Sequence, residues 1–258
     1  MSEKMFKPDG NGRRARIGIL EAHLDPVPES EMRMLTPPGV SIHTTRVPYG
    51  LNGGSSETVD RESAESYVAP PKIDEAVGLL AALRPNAIVH AFTSSSYLLG
   101  KEADLALRDR LTDAGGGIPI VIQALAIVDA LKALGASRIA LFHPPWYQED
   151  VDALGVEYFQ SLGLDVVQHG VAKIESEFCD AKSQDVYTWC TEQTCDAAQA
   201  VVLGGAGFRS IGAIDAIEQT LDRPAVTGNQ ATFWRALHYA DIHDAVPGYG
   251  RLFLRRPA

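Results

Sequence analysis

Four hydroxyl-bearing residues stand in a row at Thr93-Ser94-Ser95-Ser96, between Phe92 and Tyr97. Where a strand turns into a helix, such a run offers side-chain donors, N–H groups without an intrahelical partner and the positive end of the helix dipole. Capping the helix needs only one hydroxyl. Phe92, Thr93, Ser94 and Ser95 are therefore read as an anion-binding turn. A second candidate is Gly204-Gly205-Ala206-Gly207-Phe208, again between a short apolar run and a helix expected to start near Ser210. Its small residues let the backbone approach a ligand closely. It has neither the GxGxxG spacing nor the lysine of a phosphate loop, so Gly205, Ala206 and Gly207 are read as backbone contacts to a small anion.

Acid/base chemistry has its candidates at two other turns, Glu21-Ala22-His23 and His143-Pro144-Pro145-Trp146-Tyr147. A glutamate and a histidine on opposite walls of a cleft would form a general acid/base pair. Tyr147 is a hydrogen-bond donor that need not ionise, on a loop stiffened by two prolines. The expected catalytic set is Glu21, His23, His143 and Tyr147. The three cysteines look less promising. Cys190 and Cys195 fall in an expected helix from Val186 to Ala200, and Cys179 lies in a charged connector. No histidine or cysteine spacing suggests zinc. Tyr49 to Glu65 is polar and glycine-rich, which suits either a lid or a surface loop.

These turns need a scaffold, and the chain supplies it twice. Arg16–Leu20, Val40–Val47, Ala87–His90 and Ile118–Ile122 read as buried strands. Ile73, Ala76, Val77 and Leu80 share one face of a helix, and another helix is expected from Leu98 to Asp113. The second half repeats the order. Arg138-Ile139-Ala140-Leu141 echoes Arg16-Ile17-Gly18-Ile19, and Gly163 before a strand echoes Gly39. Val201-Val202-Leu203 echoes Ile88-Val89-His90, and Pro224-Ala225-Val226-Thr227 echoes the strand at Pro119. The displacements are 122, 124, 113 and 105 residues, drifting as loop insertions and deletions would make them. His143 then corresponds to Glu21, and the glycine turn corresponds to the hydroxyl turn. Strand–helix alternation implies parallel sheets, and ligands of such sheets bind beyond the carboxyl ends of the strands. If the halves face each other, those ends share a cleft.

Composition bounds the function. The chain has 258 residues, 45% of them apolar, and a net charge of −10, which disfavours a nucleic-acid partner. No apolar run reaches the length of about 18 residues that a membrane span needs. Met1 to Arg16 is polar and reads as a frayed leader rather than a secretory signal. An odd number of cysteines suggests reduced thiols and a cytoplasmic setting.

The turns at Thr93-Ser94 with Gly100, Gly205 to Ile217, Thr232-Phe233-Trp234-Arg235-Ala236 and Pro247-Gly248-Tyr249-Gly250-Arg251-Leu252-Phe253 carry a resemblance. They resemble the aspartate/glutamate racemase superfamily, in the branch containing arylmalonate decarboxylase and maleate cis-trans isomerase. The resemblance implies an α/β fold of two pseudo-symmetric Rossmann-like units. Each is a four-stranded parallel sheet flanked by helices, with the active site in the cleft between them. Residues 1–120 with 230–258 would form one unit and 121–229 the other. It also implies donors that hold a substrate carboxylate and stabilise an enediolate: Thr93, Ser94, Tyr147 and the N–H groups of Gly205 and Ala206. The superfamily's two cysteines would fall at Phe92 and Gly205, so both thiols are absent. The expectation is cysteine-independent lyase-type chemistry on a small carboxylate or dicarboxylate, with no cofactor or metal. The expected partner is that small molecule, with no nucleic acid and no membrane, and a homo-oligomer is compatible with the sequence. Two alternatives stay open: a hydrolase or hydratase of a small amide or acid using Glu21 or His143, and a non-catalytic carboxylate-binding protein.

Overall fold

The repeat read from the sequence is a repeat of sheet register. In the computed structural model, which describes residues 10–50 and 59–254, the first sheet comprises β1 (Ala15–Ala22), β2 (Val40–Val47), β3 (Ala87–Ala91) and β4 (Ile120–Ile122). The second comprises β5 (Arg138–His143), β6 (Asp165–Val171), β7 (Ala200–Leu203) and β8 (Ala225–Thr227). All neighbours are parallel, in the orders β2-β1-β3-β4 and β6-β5-β7-β8. Ile17 pairs with Ala87 as Ile139 pairs with Ala200, and Arg16 pairs with Ser41 as Arg138 pairs with Asp165. Ile88 pairs with Ile120 as Val201 pairs with Ala225. These equivalences reproduce the displacements of 122, 124, 113 and 105 residues. One irregularity, a register shift at Ile139/Ala140 against β6, breaks the match locally.

The helices are α1 (Val27–Met34), α2 (Arg61–Val68), α3 (Lys72–Ala81), α4 (Thr93–Leu99), α5 (Lys101–Ala114), α6 (Gln123–Leu134), α7 (Glu149–Ser161), α8 (Ser183–Gln193), α9 (Ile214–Leu221) and α10 (Gly228–Tyr239). The apolar stripe of α3 buries Ile73, Ala76, Val77 and Leu80, as its spacing requires. Both central strands, β1 and β3, are almost wholly buried because helices cover both faces of the sheet. Helices α6 and α10 join the halves. They pack on each other, and α10 also packs on β3. Gln123 Nε2 donates to Asn229 Oδ1 at 2.8 Å, and Arg235 pairs with Asp129 at 3.2 Å. None of the described helices is long and apolar enough to cross a membrane.

Several boundaries differ from the sequence reading. The helix expected from Leu98 is two helices, because Gly100 at φ +87° leaves the helical region and ends α4. The helix expected near Ser210 begins as a 3-10 turn at Ile211–Ala213 before α9. Helix α8 ends at Gln193, which leaves Cys195 outside it. Part of the expected leader lies outside the described residues, but Ala15 and Arg16 belong to β1. Arg14 is tied down as well: its N–H donates to Gly39 O at 2.9 Å, and its guanidinium forks Asp244 at 2.8 and 2.6 Å. Residues 51–58 of the expected lid also lie outside the described residues, and its far end is helical from Arg61, capped by Asp60.

Candidate active site

Strand ends from both halves enclose a small cavity of about 30 Å³. It is lined by Ala22 at the end of β1, Leu24 and Asp25 after it, Phe92 and Ser94 after β3, Trp146 and Tyr147 after β5, and Gly205, Ala206 and Gly207 after β7. Tyr49, Val59 and Phe178 complete the wall. Among the described residues, no lysine or arginine lines it.

Ser94 and Tyr147 come from opposite halves and share a 2.7 Å hydrogen bond between hydroxyls. Burial pushes the Tyr147 phenol above its ordinary range, outweighing the hydrogen bonds from Ser94 and Thr93, so it stays protonated as a donor. Thr93 is buried behind this pair, and its Oγ1 accepts the N–H of Gly205 at 3.1 Å. That bond stitches the two turns together and also occupies the Gly205 N–H, which is therefore not an open donor. The N–H groups of Ala206 and Gly207 donate to no other group among the described residues. Ser95 turns away and donates to Phe92 O at 3.2 Å. Phe92 contributes an apolar wall, its ring 5.1 Å from Tyr49 and 4.6 Å from Tyr67.

The acid/base candidates are placed differently from the sequence reading. Successive side chains of a strand point to opposite faces. Ala22 faces the cavity, so Glu21 does not. Glu21 is fully buried, accepts the N–H of Glu29 at 3.1 Å and pairs with Arg46 at 2.7 Å. Burial nevertheless pushes its carboxyl up to about 7. His23 Nδ1 accepts the N–H of Tyr49 at 3.0 Å, which fixes the end of β2 rather than a ligand. His143 is completely buried behind Tyr147, stacked on it with centroids 5.3 Å apart and planes at 18°. Its Nδ1 meets Asp152 Oδ1 at 2.6 Å, and Asp152 Oδ2 meets His169 Nδ1 at 2.5 Å. Burial lowers the imidazole's pKa despite Asp152, which favours the neutral ring. Its ring fills the space where side chains at Gly204 and Gly155 would stand: a Cβ there would come within 2.7 and 2.8 Å of it. His143 thus positions Tyr147 and does not reach the cavity.

The glycine turn is held by a residue the sequence reading missed. Glu31, on the buried face of α1, accepts the N–H groups of Ser210 and Ile211 at 2.8 and 2.9 Å and Asn229 Nδ2 at 2.8 Å. Asn229 Nδ2 also donates to Ala206 O at 2.8 Å. Burial pushes Glu31 up to about 7 against these donors. A carboxylate four residues from Val27, on the same helix face, was the available signal. Asp25 was missed too. It lines the cavity, its Oδ1 accepts the N–H of Val27 at 2.9 Å, and burial pushes it up to about 6.

Fold and cavity together define a class: two-unit α/β proteins whose ligand cavity lies where the strand ends of the two units meet. Within it, the sequence profile of arylmalonate decarboxylase matches residues 34–253, and the chain belongs to that family. It is 29% identical over 172 residues to the arylmalonate decarboxylase of Bordetella bronchiseptica, covering 62% of this chain and 68% of that one. It is 25% identical over 155 residues to a maleate isomerase of Pseudomonas putida, covering 59% of this chain and 61% of the isomerase, so this match spans about three fifths of the relative. The same fold occurs in a maleate cis-trans isomerase of Nocardia farcinica solved with a covalently bound succinylcysteine intermediate. The TM-score is 0.81 at 22% identity, over 93% of this chain and 98% of that one.

Proposed function

We propose that the protein is a decarboxylase of small malonate-like acids. One substrate carboxylate would sit on Ser94, Tyr147 and the N–H groups of Ala206 and Gly207, and the other would leave as carbon dioxide. The observation that supports this reading most is the convergence of uncharged donors from both halves on one cavity whose other lining is largely apolar. As the C–C bond breaks, its electron pair moves into the held carboxylate, forming an enediolate. Preorganised donors in a water-poor site stabilise that charge. The leaving carboxylate would face Leu24, Val59, Phe92 and Trp146, where loss of hydration favours conversion to neutral carbon dioxide. Adduct-type isomerisation is less well supported, because Phe92 and Gly205 supply no nucleophile at the family's thiol positions.

The test is carbon dioxide release from malonate, methylmalonate and phenylmalonate in ¹⁸O-labelled water. The expected result is release from the smaller acids, with no solvent oxygen in the acid product and a loss of roughly 100-fold or more in Ser94→Ala and Tyr147→Phe. Label in the product would identify hydrolysis or hydration instead. Binding of these acids without turnover would identify a binding protein.

Asp25 makes affinity depend on pH. Its folded-state pKa is raised to about 6 by burial, so it is neutral below that pH and negative above it. A negative Asp25 beside the cavity repels a bound anion. At an effective dielectric of about 20, one charge at about 6 Å costs roughly 2–3 kcal/mol. Calorimetric affinity for acetate should therefore weaken tenfold or more as pH rises through about 6. Asp25→Asn should flatten this profile, and an unchanged profile would remove Asp25 from the site.

A further inference from the structure

Of the described residues that line the cavity, Asp25 alone carries a group that can exchange a proton near neutrality. The other ionisable groups of the lining are the phenols of Tyr49 and Tyr147, and burial drives both above their ordinary range. Asp25 is 6% exposed, and its two carboxyl oxygens are in different situations. Oδ1 accepts the N–H of Val27 at 2.9 Å and the thiol of Cys179 at 3.6 Å. Oδ2 takes no hydrogen bond among the described residues. It lies 3.1 Å from the point where a Cβ on Gly207 would stand, and Gly207 is itself part of the lining. A side chain at 207 would fill that space, so the glycine keeps Oδ2 open to the cavity. A carboxyl whose one oxygen accepts two donors carries its proton on the other.

No cation pairs with this carboxyl among the described residues. Arg46 Nη1 donates to the Asp25 carbonyl at 2.9 Å, and Nη2 pairs with Glu21 at 2.7 Å, so the guanidinium is engaged elsewhere. The other titratable groups around Asp25 are Glu21, Glu31, Tyr67, Tyr147 and Cys179, none of which is a cation. Burial outweighs the Val27 N–H, Cys179 and Arg46 and holds the carboxyl up at about 6.

We infer that Asp25 is the catalytic acid of this cavity, delivering from Oδ2 the proton that takes the place of the departing carboxylate. The assignment rests on the decarboxylase reading and keeps the chemistry independent of cysteine. After carbon dioxide leaves, the Oδ2–H bond of Asp25 breaks and the enediolate carbon takes the proton. The O–H electron pair stays on Asp25 as a carboxylate, and the enediolate becomes the product carboxylate. Two negative groups then share the cavity, and their repulsion favours product release. Asp25 regains its proton from solvent, so each turnover consumes one proton.

Acetate calorimetry tests the assignment without turnover. At pH 7 the carboxyl of the free protein is mostly ionised, and an anion bound beside it raises its pKa further, so binding recruits a proton. In buffers of different ionisation enthalpy, the expected result is uptake of most of a proton per acetate. The uptake should be lost in Asp25→Asn, which should bind acetate at pH 7 at least as tightly as the unsubstituted protein. With malonate as substrate, Asp25→Asn should lower kcat by about 10²–10⁴-fold without raising KM, whereas a merely structural role would raise KM. Asp25→Glu, which keeps a carboxyl, should recover part of kcat. Acetate binding without proton uptake, or native kcat in Asp25→Asn, would overturn the acid assignment and leave the pocket reading standing. Absent acetate and malonate binding would overturn the pocket reading, and the acid assignment with it.

Discussion

Glu31→Ala is expected to lower the stability of the protein by about 3–6 kcal/mol and to abolish carboxylate binding. The substitution leaves three buried donors, the N–H groups of Ser210 and Ile211 and Asn229 Nδ2, without their acceptor. Each such loss costs roughly 1–3 kcal/mol. The effect on binding follows from geometry. Asn229 holds the carbonyl of Ala206, and Glu31 holds Asn229, so the open N–H groups of the glycine turn depend on a residue of α1. Glu31→Gln should be milder, keeping one acceptor for the two N–H groups while setting an amide NH₂ against Asn229 Nδ2. Urea unfolding and acetate calorimetry check both effects. Native-like stability in Glu31→Ala would show that the turn is held by its own backbone.

Gly205→Cys, which places a thiol where the resemblance expects one, is expected to destabilise the protein by about 1–3 kcal/mol and to yield no gain in activity. Gly205 sits at φ +88°, a state that disfavours any side chain. A Cβ there would also come 2.9 Å from Cδ of Pro144. The thiol that the resemblance expects at this position and the Pro144-Pro145 loop would then exclude each other, because the proline ring occupies the space that a Cβ at 205 would need. The paired variant Gly205→Cys with Pro144→Gly should recover part of the lost stability. Thermal unfolding of the single and paired variants measures this coupling. Additive effects would mean that Pro144 is not the obstacle.

Much of this architecture was legible because parallel strands announce themselves. The echoes at Arg16/Arg138, Gly39/Gly163, Ile88/Val201 and Pro119/Pro224 carried the sheet registers with them, since buried strands tolerate few insertions. The hydroxyl and glycine turns followed from the same registers, and Phe92, Ser94, Tyr147, Gly205, Ala206 and Gly207 do line one cavity. The direction of side chains was harder to read. Glu21 and Ala22 occupy one strand end, but strand alternation sends only Ala22 to the cavity. His143 ends β5 yet stacks behind Tyr147. Contacts between segments distant in the sequence were not legible at all. Glu31 meets Ser210 from 179 residues away, and Cys179 meets Asp25 across 154 residues. No local pattern encodes such a meeting.

The central claim is that the donors of the hydroxyl turn, the Tyr147 loop and the glycine turn grip a substrate carboxylate. A crystal structure with malonate bound tests it most directly. The expected complex has one carboxylate within hydrogen-bond distance of Ser94 Oγ, Tyr147 Oη and the Ala206 N–H. Malonate seated elsewhere, such as the separate cavity beside Trp234, His238 and His243, with the Ser94–Tyr147 pair left untouched, would contradict the account.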